Sequence, residues 1–172
     1  MPAVPPETYL TRSAAAAREA ELAETDFRRR YTEELAAFDV EAGAQDVLLR
    51  LTGPAGPTLG IATGKSRRGV SALVAKHGWD GWFRTIQTAD DAPSKPHPAM
   101  VLQACAETGH APARAIMIGD SSYDMAMARA AGARAIGVAW GFQPRAALIE
   151  AGAEAIAENF SHLEALIAEL GR

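Results

Sequence analysis

The sequence predicts an α/β domain, a parallel sheet flanked by helices and entered through a helical segment. From Gly43 onward the short apolar runs TLGIAT, RTIQTA, RAIMIGD and RAIGVAW alternate with helical patterns near 66–77, 97–109 and 121–131. That is the order of strand-helix-strand units in a parallel sheet. The runs are nearly continuous in apolar character, as expected of strands covered on both faces. Residues 7–37, by contrast, are rich in Ala, Glu and Arg and lack Gly and Pro, a helical composition.

The 172-residue length suits one domain with a small appendage, and it is enough to bury a core without a disulfide or structural metal. The expected division is a partial helical cap over residues 1–40 and an α/β core over residues 41–172. A net charge of −4 with both signs interspersed offers neither a nucleic-acid footprint nor a polybasic membrane patch. No run reaches the ~18 apolar residues of a membrane span, and the start, MPAVPPETYL, lacks the design of a signal peptide. The single cysteine, Cys105, has no partner for a disulfide or a metal pair, which fits a reducing, cytoplasmic setting.

The elements follow in chain order. The leading segment reads as two helices broken near Glu24-Thr25-Asp26, where Thr25 or Asp26 could cap the second. The turn-rich TGPAGPT then joins a helix to the first strand. That strand ends in GIATGKS, which has the last letters of the phosphate-binding pattern G-x-x-x-x-G-K-[ST]. Gly60, however, leaves three intervening residues where the pattern needs four, and it lies within the strand instead of beyond it. What remains is a strand ending at Thr63 and a helix starting near Ser66. There a hydroxyl and free amides could hold a phosphoryl oxygen, or simply cap a helix.

The second strand leads into DDAPSKPHPAM, where Pro96 and Pro98 stiffen the approach to a helix around Lys95. A lysine so held can neutralise a phosphate or a carboxylate, although an exposed lysine is the plainer account. His97, between prolines and without a second imidazole nearby in sequence, reads as structural.

The third strand runs into MIGDSSYDMAMARAAG. Gly119 permits close approach of the backbone, Asp120 opens the turn, and Asp124 follows at i+4 on the same helical face. Two such carboxylates suit magnesium, which takes one or two protein carboxylates and shares a substrate phosphate oxygen. They equally suit an N-cap and a first-turn acid favoured by the helix dipole.

Taken in order, Thr63 after an apolar strand, Lys95 in a K-P-x-P turn and IGDSSYD after a later strand resemble the haloacid dehalogenase (HAD) superfamily. GIATGKS, SKPHPAMV, MIGDSSYDMAMARAAG and AIGVAWGF are most similar to phosphoglycolate-phosphatase-like hydrolases. The resemblance covers about residues 40–172, and the leading helices are similar to part of a helical cap. It implies a HAD-like, Rossmannoid sheet and a Mg2+-dependent phosphatase of small phosphorylated metabolites. Thr63 would then bond the transferring phosphoryl group, Gly64 and Ser121 would add backbone or neighbouring polar contacts, and Lys95 would balance charge. Asp120 would ligate magnesium, with Asp124 supporting or sharing that ligation.

The family's covalent mechanism uses an aspartate nucleophile and a second aspartate two residues later as acid and base. Both stand in a D-x-D-x-T pattern at the end of a first, central strand. No apolar strand ending in D-x-D precedes Thr63. The nearest candidate is AAFDVEAGA, with Asp39 and Glu41, but the upstream RRRYTEEL is too charged to be buried as a central strand. The family's first strand lies between those ending at Thr63 and Asp120, so its absence should leave two unpaired edges. It should also forfeit on the order of 10 kcal/mol of burial. Three accounts follow: an N-terminally truncated active phosphatase, which is preferred because the cap also begins midway; a silent relative; or a chain completed by another. The rival function is a catalytically inactive phosphate-binding or interaction module of the same fold.

Overall fold

The computed structural model describes residues 43–172. The expected helical cap over residues 1–40, with Thr25, Asp26 and Asp39, lies outside the described residues, as does Glu41.

Helix α1 (Ala44–Leu51) starts at Gly43, whose φ of 96° is left-handed, and carries Asp46 in its first turn and Arg50 in its last. Both charges favour the helix dipole. Arg50 forks onto Glu164 with bonds of 2.7 and 2.8 Å, fastening α1 to the last helix, α6 (Phe160–Leu170).

Between them come β1 (Gly60–Ala62), α2 (Arg67–His77), β2 (Thr85–Gln87), α3 (Ala99–Thr108), β3 (Ile116–Gly119), α4 (Ser122–Ala131), β4 (Arg134–Val138), α5 (Arg145–Ala151) and β5 (Ala155–Ala157). Helices α2, α3, α4 and α5 each stop at a glycine of positive φ, the commonest way to end a helix without a Cβ penalty.

All the pairings are parallel, as the alternating pattern predicts. Among the described residues, however, the strands form two sheets instead of one: β1 with β2, and β3-β4-β5. Gly60 lies opposite Thr85 and Ala62 opposite Gln87 in the first. Ile118 faces Ile136, and Val138 faces Ala157, in the second. The inner edges of β1 and β3 therefore carry no partner among the described residues.

One core nevertheless serves both sheets. Met100, Val101 and Cys105 of α3 join Met127 and Ala131 of α4, and against them pack Ala62 from β1 and Met117 from β3. A second cluster joins Met125 and Ala128 to Ala135 and Leu148, and a third on the opposite face joins Ile136, Val138 and Ala157 to Leu163 of α6. Two-sided coverage, expected of every strand, holds for β4 and fails at the inner edge. Ile136 is 0% exposed, whereas Ile118, its register partner beside the unpaired edge, is 38% exposed.

No helix among the described residues is long and apolar enough to cross a membrane. Cys105 is a buried free thiol, its pKa pushed up by burial.

Candidate functional site

The site is built at the carboxyl ends of β1 and β3 and in the loop after β2, where parallel α/β sheets gather their ligands. At the first of these, the Thr63 amide donates to Gln87 O at 3.0 Å and so extends the β1–β2 ladder by one residue. Its Oγ1 accepts the Lys65 amide at 3.2 Å, which closes the turn carrying Gly64. Ser66, not Thr63, caps α2, its hydroxyl accepting from the Gly69 amide at 3.3 Å.

The loop after β2 is tied to that turn. The Ala89 amide donates to Lys65 O at 3.1 Å, and the Arg67 amide donates to Asp90 Oδ2 at 2.8 Å. The Arg67 guanidinium reaches Ile86 O at 2.8 Å and Asp91 Oδ2 at 2.7 Å. Asp91 Oδ2 also accepts from Thr88, from its amide at 2.9 Å and its hydroxyl at 2.5 Å. The Thr88 hydroxyl above all, with the Arg67 guanidinium, holds the Asp91 carboxyl below its ordinary pKa.

This bracing fixes the start of the segment that delivers Lys95. Lys95 Nζ donates to Asp124 Oδ1 at 2.5 Å, with side-chain exposures of 20% and 7%. His97 accepts the Ala99 amide on its Nδ1 at 3.2 Å, a structural role as expected.

At the end of β3, Ser121 is the N-cap of α4 and forms a capping box with Asp124. Its hydroxyl accepts the Asp124 amide at 3.3 Å. Asp124 Oδ2 in turn accepts from the Ser121 hydroxyl at 2.8 Å and the Ser121 amide at 3.2 Å. The alternative that makes Asp120 the cap is thereby corrected: Ser121 has the extended backbone a cap needs, and Asp120 is left for other work. Asp124, for its part, has both oxygens engaged by the protein.

Asp120 differs. Its Oδ2 accepts the Phe142 amide at 3.0 Å and its carbonyl accepts the Gln143 amide at 3.1 Å. No bond to Oδ1 is seen among the described residues. The 141–143 segment, which follows β4, was not anticipated from sequence. Gly141 is required there, because a Cβ on it would lie 2.1 Å from Asp120 Cβ. Gly119 is required likewise, since its Cβ would lie 2.5 Å from Asp124 Cβ. The sequence signal was the closing AIGVAWGF, whose glycine follows a strand end.

For a hard divalent cation, this donor set fits in part. Asp120 presents a carboxylate oxygen that the protein leaves unbonded among the described residues, and magnesium commonly uses only one or two protein carboxylates. Asp124 fits as the group that anchors Lys95 and the α4 cap beside it.

A hydroxyl, an ammonium and a carboxylate thus follow three strands of a parallel α/β domain, the class of fold whose ligands gather at the carboxyl ends of the strands. Residues 4–138 match the family model of the haloacid dehalogenase-like hydrolases, and the chain belongs to that family. It is 34% identical over 110 residues to the pyrophosphatase PpaX of Bacillus pumilus, an alignment covering 63% of this chain and 51% of that protein. It is 29% identical over 109 residues to the phosphoglycolate phosphatase of Haemophilus influenzae, covering 63% and 49%. Among solved structures, a hydrolase from Pseudomonas syringae superposes with a TM-score of 0.74 at 25% identity, covering 88% of this chain and 72% of that one. The chain spans about half the length of these two curated relatives.

Proposed function

We propose that this chain carries the magnesium-binding and phosphoryl-binding part of a phosphatase acting on small phosphomonoesters through an aspartyl-phosphate. The observation that carries this is the division of labour at the end of β3. Asp124 is consumed by Lys95 and the cap, while Asp120 beside it keeps Oδ1 unbonded by the described protein. In this reading Asp120 would hold Mg2+, which supplies charge neutralisation at the phosphoryl oxygens. Thr63 and the Gly64 backbone receive the phosphoryl group, and Lys95 balances charge around Asp124.

The names of the two curated relatives, a pyrophosphatase and a phosphoglycolate phosphatase, support small phosphorylated substrates. The sequence contains no D-x-D, and the inner edges of β1 and β3 carry no partner among the described residues, so in this reading the nucleophile belongs to a further strand in the gap between them. The truncated-enzyme account is preferred. The same gap favours a second reading, an inactive phosphate-binding or interaction module.

Magnesium-dependent hydrolysis of p-nitrophenyl phosphate separates them, assayed for the chain as given and for a chain extended by any in-frame upstream strand ending Asp-x-Asp-x-Thr. Turnover only in the extended chain, abolished by Asp120→Asn, is expected. Turnover by the chain as given that is lost in Asp39→Asn would overturn the assignment. Finding no upstream strand would favour the inactive module.

A further inference from the structure

We propose that Gln143 is a positioning residue for Asp120, clasping the turn after β3 from the loop that follows β4. The inference rests on the reading of Asp120 as the cation-facing carboxylate.

Gln143 holds the turn at two points that bracket Ser121. Its amide donates to Asp120 O at 3.1 Å, and its side-chain Oε1 accepts the Ser122 amide at 2.6 Å. One residue earlier, the Phe142 amide donates to Asp120 Oδ2 at 3.0 Å. Three bonds therefore join residues 142–143 to residues 120–122, and one of them lands on the carboxylate itself.

The other end of the loop is fastened elsewhere. Trp140 packs on Phe160 of α6 with ring centroids 4.8 Å apart. Phe142, between these anchors, is 85% exposed, so burial of its ring cannot be what places its amide. The placement comes from the main chain, and Gln143 is the side chain that fixes that main chain to α4.

The Ser122 amide is one of the orphan donors of a helix start. Ser121 engages the Asp124 amide and cannot also serve Ser122, so Gln143 completes the cap from a distant part of the sequence. Removing the Gln143 amide leaves a partly exposed donor that water can satisfy, a small loss to the fold. What it removes is the tie keeping the Phe142 amide on Asp120 Oδ2, and with it the orientation of the carboxylate.

The test uses the full chain, 15N-labelled and free of metal, as wild type, Gln143→Leu and Gln143→Glu. In Gln143→Leu, exchange of the Phe142 amide should accelerate about tenfold, while the Ile136 amide in buried β4 keeps its wild-type rate. Gln143→Glu, which retains an acceptor for Ser122, should return Phe142 towards the wild-type rate. Unchanged Phe142 exchange in Gln143→Leu would overturn the proposal, and so would acceleration shared equally by Ile136, which marks general loosening. In parallel, Mn2+ binding followed by electron paramagnetic resonance should weaken about fivefold in Gln143→Leu and recover in Gln143→Glu. A wild type that binds no Mn2+ would count against the metal reading of Asp120, leaving the exchange result to decide the role of Gln143.

Discussion

Lys95 and Asp124 meet at 2.5 Å across the boundary between the two sheets. The lysine arrives on the loop from the β1–β2 side, and the aspartate on α4 from the β3–β4–β5 side. The pair is both a charge at the site and a tie between halves that share no strand pairing among the described residues.

Replacing Lys95 with Met should therefore destabilise the protein by about 2–3 kcal/mol. It strands a carboxylate that is 5% exposed, and the part-exposure of the lysine keeps the loss below the full cost of breaking a buried pair. Urea unfolding measures it. Lys95→Met combined with Asp124→Asn should cost less than the sum of the two singles, and strict additivity would show that the pair is not coupled.

Ser121→Ala removes the side-chain half of the capping box and should cost about 1 kcal/mol. The same denaturation experiment reads it, and no change would mean that water replaces the cap.

Gly119→Ala should cost about 1–3 kcal/mol, because the new methyl meets the stiff base of Asp124 at 2.5 Å and the strand end must shift. Gly64→Ala is the control. Nothing lies within 4 Å of a Cβ at Gly64, so its thermal midpoint should stay close to wild type.

Asp91 gives a pH signature. Its folded pKa is lowered by the Thr88 hydroxyl and Arg67, so the carboxylate contributes stability above its unfolded pKa of about 3.9 and loses it as pH falls through the folded value. Asp91→Asn should be less stable than wild type at pH 7, and the two should converge below about pH 4. A gap that stays constant with pH would contradict the linkage.

Much of this was legible in the residues. The apolar runs placed β1 to β4, because strands buried by helices need little else to announce them, and Asp124 stood out by its i+4 spacing from Asp120. Its partner was less visible. Lys95 was expected at phosphate or carboxylate, and only the fold brings α3's approach within reach of α4. The Arg67–Asp91 brace and the Gln143 clasp were not legible, since each joins positions about twenty residues apart whose pairing depends on which strand ends are neighbours. The exposure of Ile118 was not legible either, since an apolar strand residue gives no sign in sequence of lying beside a sheet edge.

Helices α3 and α4 share one core cluster, and against it pack Ala62 of the first sheet and Met117 of the second. Thr63 and the Lys95 loop travel with the first sheet, Asp120 and Asp124 with the second. In the function proposed above, the alignment of these groups is thus a mechanical property of a seam, and a substitution that loosens the seam should weaken the site without touching a single side chain in it.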